Sequence, residues 1–169
     1  RPDQAGSPSR TSVNLTGDVA VANRNGGVAK VYAREQSCVE SNGMPGIQTS
    51  TGANNLLGWD VEECRAWYVE FPTTNQRPVA WTPGTLSRDT CDAVGEQVWT
   101  VMSATPGLAP GLGGAGGVIA SLLDGDTGDI VQQVPVDGFP GIQLGAYGGA
   151  VDAEGNLFFT PMGGISFNN

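Results

Sequence analysis

The chain has 169 residues, among them 26 Gly and 11 Pro, with a formal net charge of −9 and no histidine. This length suits one domain with a sizeable core, and so much Gly and Pro weighs against a helical protein, because both destabilise helix interiors. No apolar run is long enough for a transmembrane helix, and without histidine the chain excludes Ser–His–Asp and Cys–His catalysis, His-ligated zinc and His proton shuttles.

Residues 1–11 read as an extended lead-in. The opening Arg1-Pro-Asp, without Met or a charged-then-apolar leader, suggests a processed mature chain or an expressed portion, with any signal segment already gone. The first clear hairpin sets Asp18-Val-Ala-Val-Ala-Asn23 against Val28-Ala-Lys-Val-Tyr-Ala33, with Asn25-Gly26 expected to supply the positive φ angles of a tight turn. A polar insertion follows at about 34–64. Cys38 and Cys64 flank its Gly, Ser, Thr and Asn, where a disulfide would staple it; Cys91 is then left over, free or paired outside this chain. A disulfide-bearing, loop-rich, acidic chain belongs in an oxidising compartment, so an extracellular or periplasmic location is expected.

The next strands are predicted over Ala66–Phe71, Arg77–Thr82 and Gln97–Met102, rich in aromatic and β-branched residues. Thr105–Gly117 is too dense in Pro and Gly to be anything but loop, and Gly111-Leu-Gly-Gly-Ala-Gly-Gly117 within it lacks the Lys of a phosphate-binding loop. Strands at Val118–Leu123 and Ile130–Val136 enclose the turn Asp124-Gly-Asp-Thr-Gly-Asp129. No segment carries a sustained 3.6-residue apolar period, so the fold class is all-β.

One strand–turn–strand phrase occurs twice. Ser12-Val-Asn-Leu-Thr-Gly17-Asp-Val-Ala-Val-Ala22 runs into Asn23-Arg-Asn-Gly26-Gly-Val28, and Ala150-Val-Asp-Ala-Glu-Gly155-Asn-Leu-Phe-Phe-Thr160 runs into Pro161-Met-Gly163-Gly-Ile165. Gly155 follows Gly17 by 138 positions, about three times the ~40–50-residue period of β-propeller blades. Residues 12–169 are therefore read as a segment of β-propeller-like antiparallel hairpins. About nine strands make little more than two four-stranded blades, and propellers close with four to eight. The ring in this chain is thus expected to be incomplete, its open edges completed by another protein chain, by copies of itself or by blades from further sequence.

The stretches Pro8-Ser-Arg-Thr-Ser-Val13, Gly17-Asp-Val-Ala-Val-Ala-Asn-Arg24 and Ala146-Tyr-Gly-Gly-Ala-Val-Asp-Ala-Glu-Gly-Asn-Leu157 resemble secreted bacterial β-propellers of the NHL and streptogramin-lyase-like group. In that group this phrase forms the hairpin of each blade. The segment Cys38–Trp67 resembles an insertion found in some secreted members. The resemblance implies the architecture. It does not transfer the lyase activity, which depends on a histidine and a divalent metal, because no position here can supply the histidine.

The remaining chemistry is carboxylate and aromatic. A glycosidase would need a pair of acids, for which Asp18, Asp60, Glu62, Glu63 and Asp152 are the candidates. Asp124, Asp126 and Asp129 are the weak metal candidates and Ca²⁺ the one cofactor class they raise, although the cluster lacks the order and distal Glu of an EF-hand loop. Glu40-Ser-Asn-Gly-Met44 lacks ligands at the corresponding places. Trp59, Trp67, Trp81 and Trp99, with Tyr68 and Tyr147, are sheet-packing residues by default and sugar-stacking platforms in the alternative. Asn14-Leu-Thr16 fits a glycosylation sequon. All eight Lys and Arg lie in residues 1–88, balanced by eight acids, and residues 89–169 hold nine acids and no base. Nucleic acid, which demands clustered cations, is therefore not an expected partner. The expected function is a secreted, non-catalytic binding or structural component acting on proteins or ligands; the alternative is a carbohydrate-active propeller, lectin-like or hydrolytic.

Overall fold

The structure, a computed structural model, describes residues 7–104, 117–137 and 145–161. The Gly-rich loop Gly111–Gly117 except its last residue, residues 1–6 of the lead-in and the end of the second repeat copy from Met162 lie outside the described residues. Twelve strands are present and no α-helix among the described residues: β1 Pro8–Val13, β2 Val19–Asn23, β3 Val28–Val31, β4 Arg65–Val69, β5 Val79–Trp81, β6 Thr85–Leu86, β7 Ala93–Val94, β8 Gln97–Ser103, β9 Val118–Asp124, β10 Ile130–Val136, β11 Ala146–Val151 and β12 Leu157–Pro161. Strand pairing begins at Pro8, inside the span read as lead-in.

Two four-stranded antiparallel meanders dominate. The first has the order β1-β2-β3-β4 and the second β5-β8-β9-β10, with the short β6-β7 hairpin standing off the β5–β8 connection. The third sheet is the single hairpin β11-β12. β1 and β2 pack against β5, and β11 packs against β5 and β8, so the first strands of all three sheets converge. No closed ring is formed among the described residues.

The sequence repeat is also a structural repeat. Each copy turns through a three-residue loop entered by Asn or Asp and closed by Gly in the left-handed region, Gly17 at φ +96° and Gly155 at φ +84°. The backbone bonds correspond: Asn14 N to Asp18 O and Gly17 N to Asn14 O in one, Asp152 N to Asn156 O and Gly155 N to Asp152 O in the other. The side-chain oxygen of Asn14 accepts from the amides of Thr16 and Asp18, and that of Asp152 from the amides of Glu154 and Asn156. The pairing irregularity recurs as well, between Pro8 and Arg10 in β1 and between Ala146 and Gly148 in β11. The β2–β3 turn uses the same device. Asn25 keeps a negative φ, and the positive angles fall on Gly26 and Gly27, where no side chain opposes them.

The second sheet lies between the other two, which explains the near-continuous apolar run of β8. Val98 and Met102 face the first sheet in one core with Ala20, Ala22, Val28, Trp67, Phe71, Trp81 and Leu123. Val101 faces the third in another, with Val118, Ala120 and Ala146 and against Trp99, Leu157 and Phe159. A strand buried on both faces loses the polar half of its alternation. β10 is the outer strand, largely exposed, and tolerates Pro135 as an edge strand does.

Candidate functional site

A polar site lies where the first two sheets meet. Residue alternation on β3 turns Lys30 inward, and it is 4% exposed. Its Nζ lies 3.2 Å from Asp18 Oδ2 and donates to the Gly125 carbonyl oxygen at 2.9 Å. The ammonium also sits 5.2 Å from the Tyr32 ring and 5.5 Å from the Trp81 ring. The other oxygen of Asp18 accepts the Ala33 amide at 3.0 Å. Glu96, reaching across from the second sheet, accepts Asn14 Nδ2 at 2.8 Å and the Leu15 amide at 3.0 Å. Together they line a polar cavity of about 250 Å³, with the half-exposed pair Arg34–Asp92 (3.7 Å) at its rim. Lys30 is paired with Asp18 within the first sheet, while Lys30 and Glu96 each hold their own sheet to a turn of the other. Lys30 and Glu96 carry this site, and neither stood out in the sequence; the legible signal was a Lys at an inward position of an alternating strand.

The insertion at 34–64 is organised from below by adjacent carboxylates. Cys38 and Cys64 are bonded to each other, as expected from their placement, and Cys91 is free and exposed. Glu63 accepts the amides of Ser41 (2.8 Å) and Asn42 (3.2 Å) on one oxygen and of Gln48 (2.8 Å) on the other. Those amide bonds, Gln48 foremost, hold its carboxyl below the usual glutamate range despite burial. Burial pushes Glu62 up, but bonds from Thr49, Ser50 and Cys64 outweigh it and bring the net shift down.

Carboxyls depressed in the folded state stabilise it above their unfolded pKa, about 4.3 for glutamate. On acidification the unfolded chain binds protons first, so stability falls as pH drops from there through the folded values. Protection of the Ser41, Gln48 and Ser50 amides, taken relative to their intrinsic exchange rate at each pH, is expected to hold from neutral pH down to that range and to fall below it. Glu63→Gln should loosen the Ser41 and Gln48 amides already at neutral pH; unchanged protection in that variant would refute this role.

The other sequence candidates are tied into turns and sheet contacts. Asp124 accepts the amides of Asp126 (2.9 Å) and Thr127 (2.8 Å), and the Thr127 hydroxyl donates to Asp129 at 2.9 Å; the three form one hairpin turn. Among the described residues no group of three or more His, Cys, Asp or Glu is placed to hold a metal ion. Asp152 closes its own turn, and Asp60 is exposed. Three indoles donate across sheets: Trp67 to Gly125 O (3.1 Å), Trp81 to Ser12 O (3.1 Å) and Trp99 to Gly155 O (3.0 Å). Trp59 meets Tyr68 edge-on at 6.3 Å. Asn14 of the sequon spends its amide nitrogen on Glu96. No described helix is long and apolar enough to cross a membrane.

Compared with protein-family models, with curated proteins and with solved structures, the chain finds no significant match.

Proposed function

We propose that this chain is a secreted, non-catalytic binding and structural component, built as an arc of β-propeller blades that further strands complete. The observation that carries the reading is the third sheet. β11-β12 repeats β1-β2 down to its turn and its pairing irregularity, yet no described strand pairs with the outer edge of β12. Beside that edge Phe158 is 61% exposed, in an open groove lined by Gly149, Leu157 and Thr160. An unpaired edge flanked by exposed apolar surface is a template for strand addition. A second copy of the chain is the simplest donor, joined head to tail as ring closure requires.

The resemblance to NHL and streptogramin-lyase-like propellers goes with this architecture, and the disulfide goes with a location outside the cytoplasm. The carbohydrate-active alternative would rest on tryptophans and carboxylates that here hold sheets and turns together, which favours the scaffold reading.

Mass photometry of the 17.4 kDa chain is expected to show assemblies larger than one copy, and Phe158→Lys to dissociate them while leaving the circular-dichroism spectrum unchanged. A compact monomer at every concentration would overturn the proposal of self-completion.

A further inference from the structure

At the opposite end of the first strands from Asn14 and Asp18, three of the eight basic side chains gather. Arg10 is on β1, Arg24 in the β2–β3 turn and Arg77 just ahead of β5. Arg77 is 6% exposed. The ring of Tyr147, from β11, has the Arg10 guanidinium carbon 4.3 Å from its centre and that of Arg77 5.4 Å away. Backbone bonds join the contributing segments: Asn75 N to Arg24 O at 2.8 Å and Arg24 N to Ser7 O at 3.0 Å.

This cluster is electrostatically incomplete. In a chain of net charge −9, neither of the ion pairs formed among the described residues involves Arg10, Arg24 or Arg77. Burial and then the charge of Arg24 pull the Arg77 guanidinium down from its ordinary value, and Arg10 adds to this; a guanidinium nonetheless stays protonated in a protein. The buried side-chain atoms without a hydrogen-bond partner belong to the three arginines or to residues close to them in the chain: Ser9 Oγ, Arg24 Nε, Thr73 Oγ1, Gln76 Oε1 and Arg77 Nε. Buried donors are normally satisfied, and a set left open at one place calls for an ion or water to fill it.

We infer that Arg10, Arg24 and Arg77, with Tyr147 beside them, form a binding site for a tetrahedral oxyanion of the phosphate or sulfate class. Guanidinium forks match such oxygens in paired, charge-assisted hydrogen bonds. A carboxylate offers two oxygens, fewer than the guanidiniums it would have to engage. A multiply charged tetrahedral anion supplies more acceptors and more charge. The site lies wholly within one chain and does not depend on ring completion.

The test is calorimetric and thermal titration with inorganic phosphate, inorganic sulfate and acetate, against chloride at equal ionic strength. Saturable binding of phosphate or sulfate is expected, with a melting temperature that climbs with the logarithm of concentration; whichever of the two binds tighter identifies the source of the anion. Arg77→Gln should weaken it about tenfold or more. Arg10→Gln, at a partly exposed position, supplies a variant whose folding is not at stake and should weaken it as well. Tyr147, whose phenol is held below its ordinary value by the Arg10 hydrogen bond and charge, should ionise at higher pH once the anion is bound. Acetate binding as tightly as phosphate or sulfate, stabilisation by chloride equal to theirs, or unchanged affinity in Arg10→Gln would each overturn the assignment.

Discussion

Lys30→Ala is expected to destabilise the chain by about 3–5 kcal/mol, the cost typical of removing one partner from a buried ion pair. For a domain of this size each kcal/mol moves the melting temperature by about 2–4 °C, so a fall of roughly 6–20 °C should be seen by circular dichroism. The reason lies in what remains. Asp18 is itself buried, and without the ammonium at 3.2 Å it keeps a hydrogen bond from Ala33 but no countercharge. The Gly125 carbonyl loses one of its two donors, keeping Trp67. The first and second sheets therefore lose one of the bonds that join them at the same place. Arg34→Ala serves as the contrast, because Arg34 and Asp92 are half exposed at 3.7 Å and pairs of that kind contribute about 0–1 kcal/mol. A Lys30→Ala protein that melts with the wild type, or no lower than Arg34→Ala, would show that Lys30, through its pairing with Asp18 and its bond to Gly125, does not hold this junction together.

The difference between those two pairs marks how far the sequence could be read. Turn chemistry and alternation are local, so the Asn-x-x-Gly and Asp-x-x-Gly turns at Gly17 and Gly155 announced themselves, and the Ile130–Val136 strand has the predicted bounds. The Cys38–Cys64 staple was legible for the same reason, as two cysteines bracketing a loop. Contacts between sheets were not. Lys30 bonds a carbonyl 95 positions away and Trp81 one 69 positions away, and no local pattern encodes such distances. β6 and β7 escaped notice because two-residue strands with exposed Leu86 and Val94 have no length in which a period can show. Trp67, Trp81 and Trp99 were legible as sheet-packing residues, but not the carbonyls in neighbouring sheets to which their indole N–H groups donate. The arginine cluster was invisible for the same topological reason: its members come from separate strands and turns, and only the convergence of β1, β5 and β11 unites them.

Removing the disulfide is the second large perturbation. The bond joins Cys38 to Cys64 across a sequence separation of 26, and the entropy of a loop that long, restored to the unfolded chain, corresponds to about 3.5 kcal/mol. The insertion has little else of its own. Its regular structure is one 3-10 turn at Glu35–Ser37 and a single bridge between Gly52 and Asn55, and Val39, Met44 and Leu56 are exposed rather than packed. Glu62 and Glu63 organise the loop backbone, but both directly precede Cys64, so they act on a loop that the disulfide has already drawn in. The double variant Cys38→Ser/Cys64→Ser is accordingly expected to melt roughly 7–14 °C lower and to become sensitive to proteolysis between residues 39 and 61, while the far-ultraviolet spectrum of the sheets persists. Cys91→Ser, at an exposed and unpaired position, should melt with the wild type. Equal melting temperatures for the double variant and the wild type would mean that the insertion holds itself closed without the bond. The expected result instead ties the stability of the fold to the bond remaining oxidised, because reducing conditions would have the same effect as the substitutions.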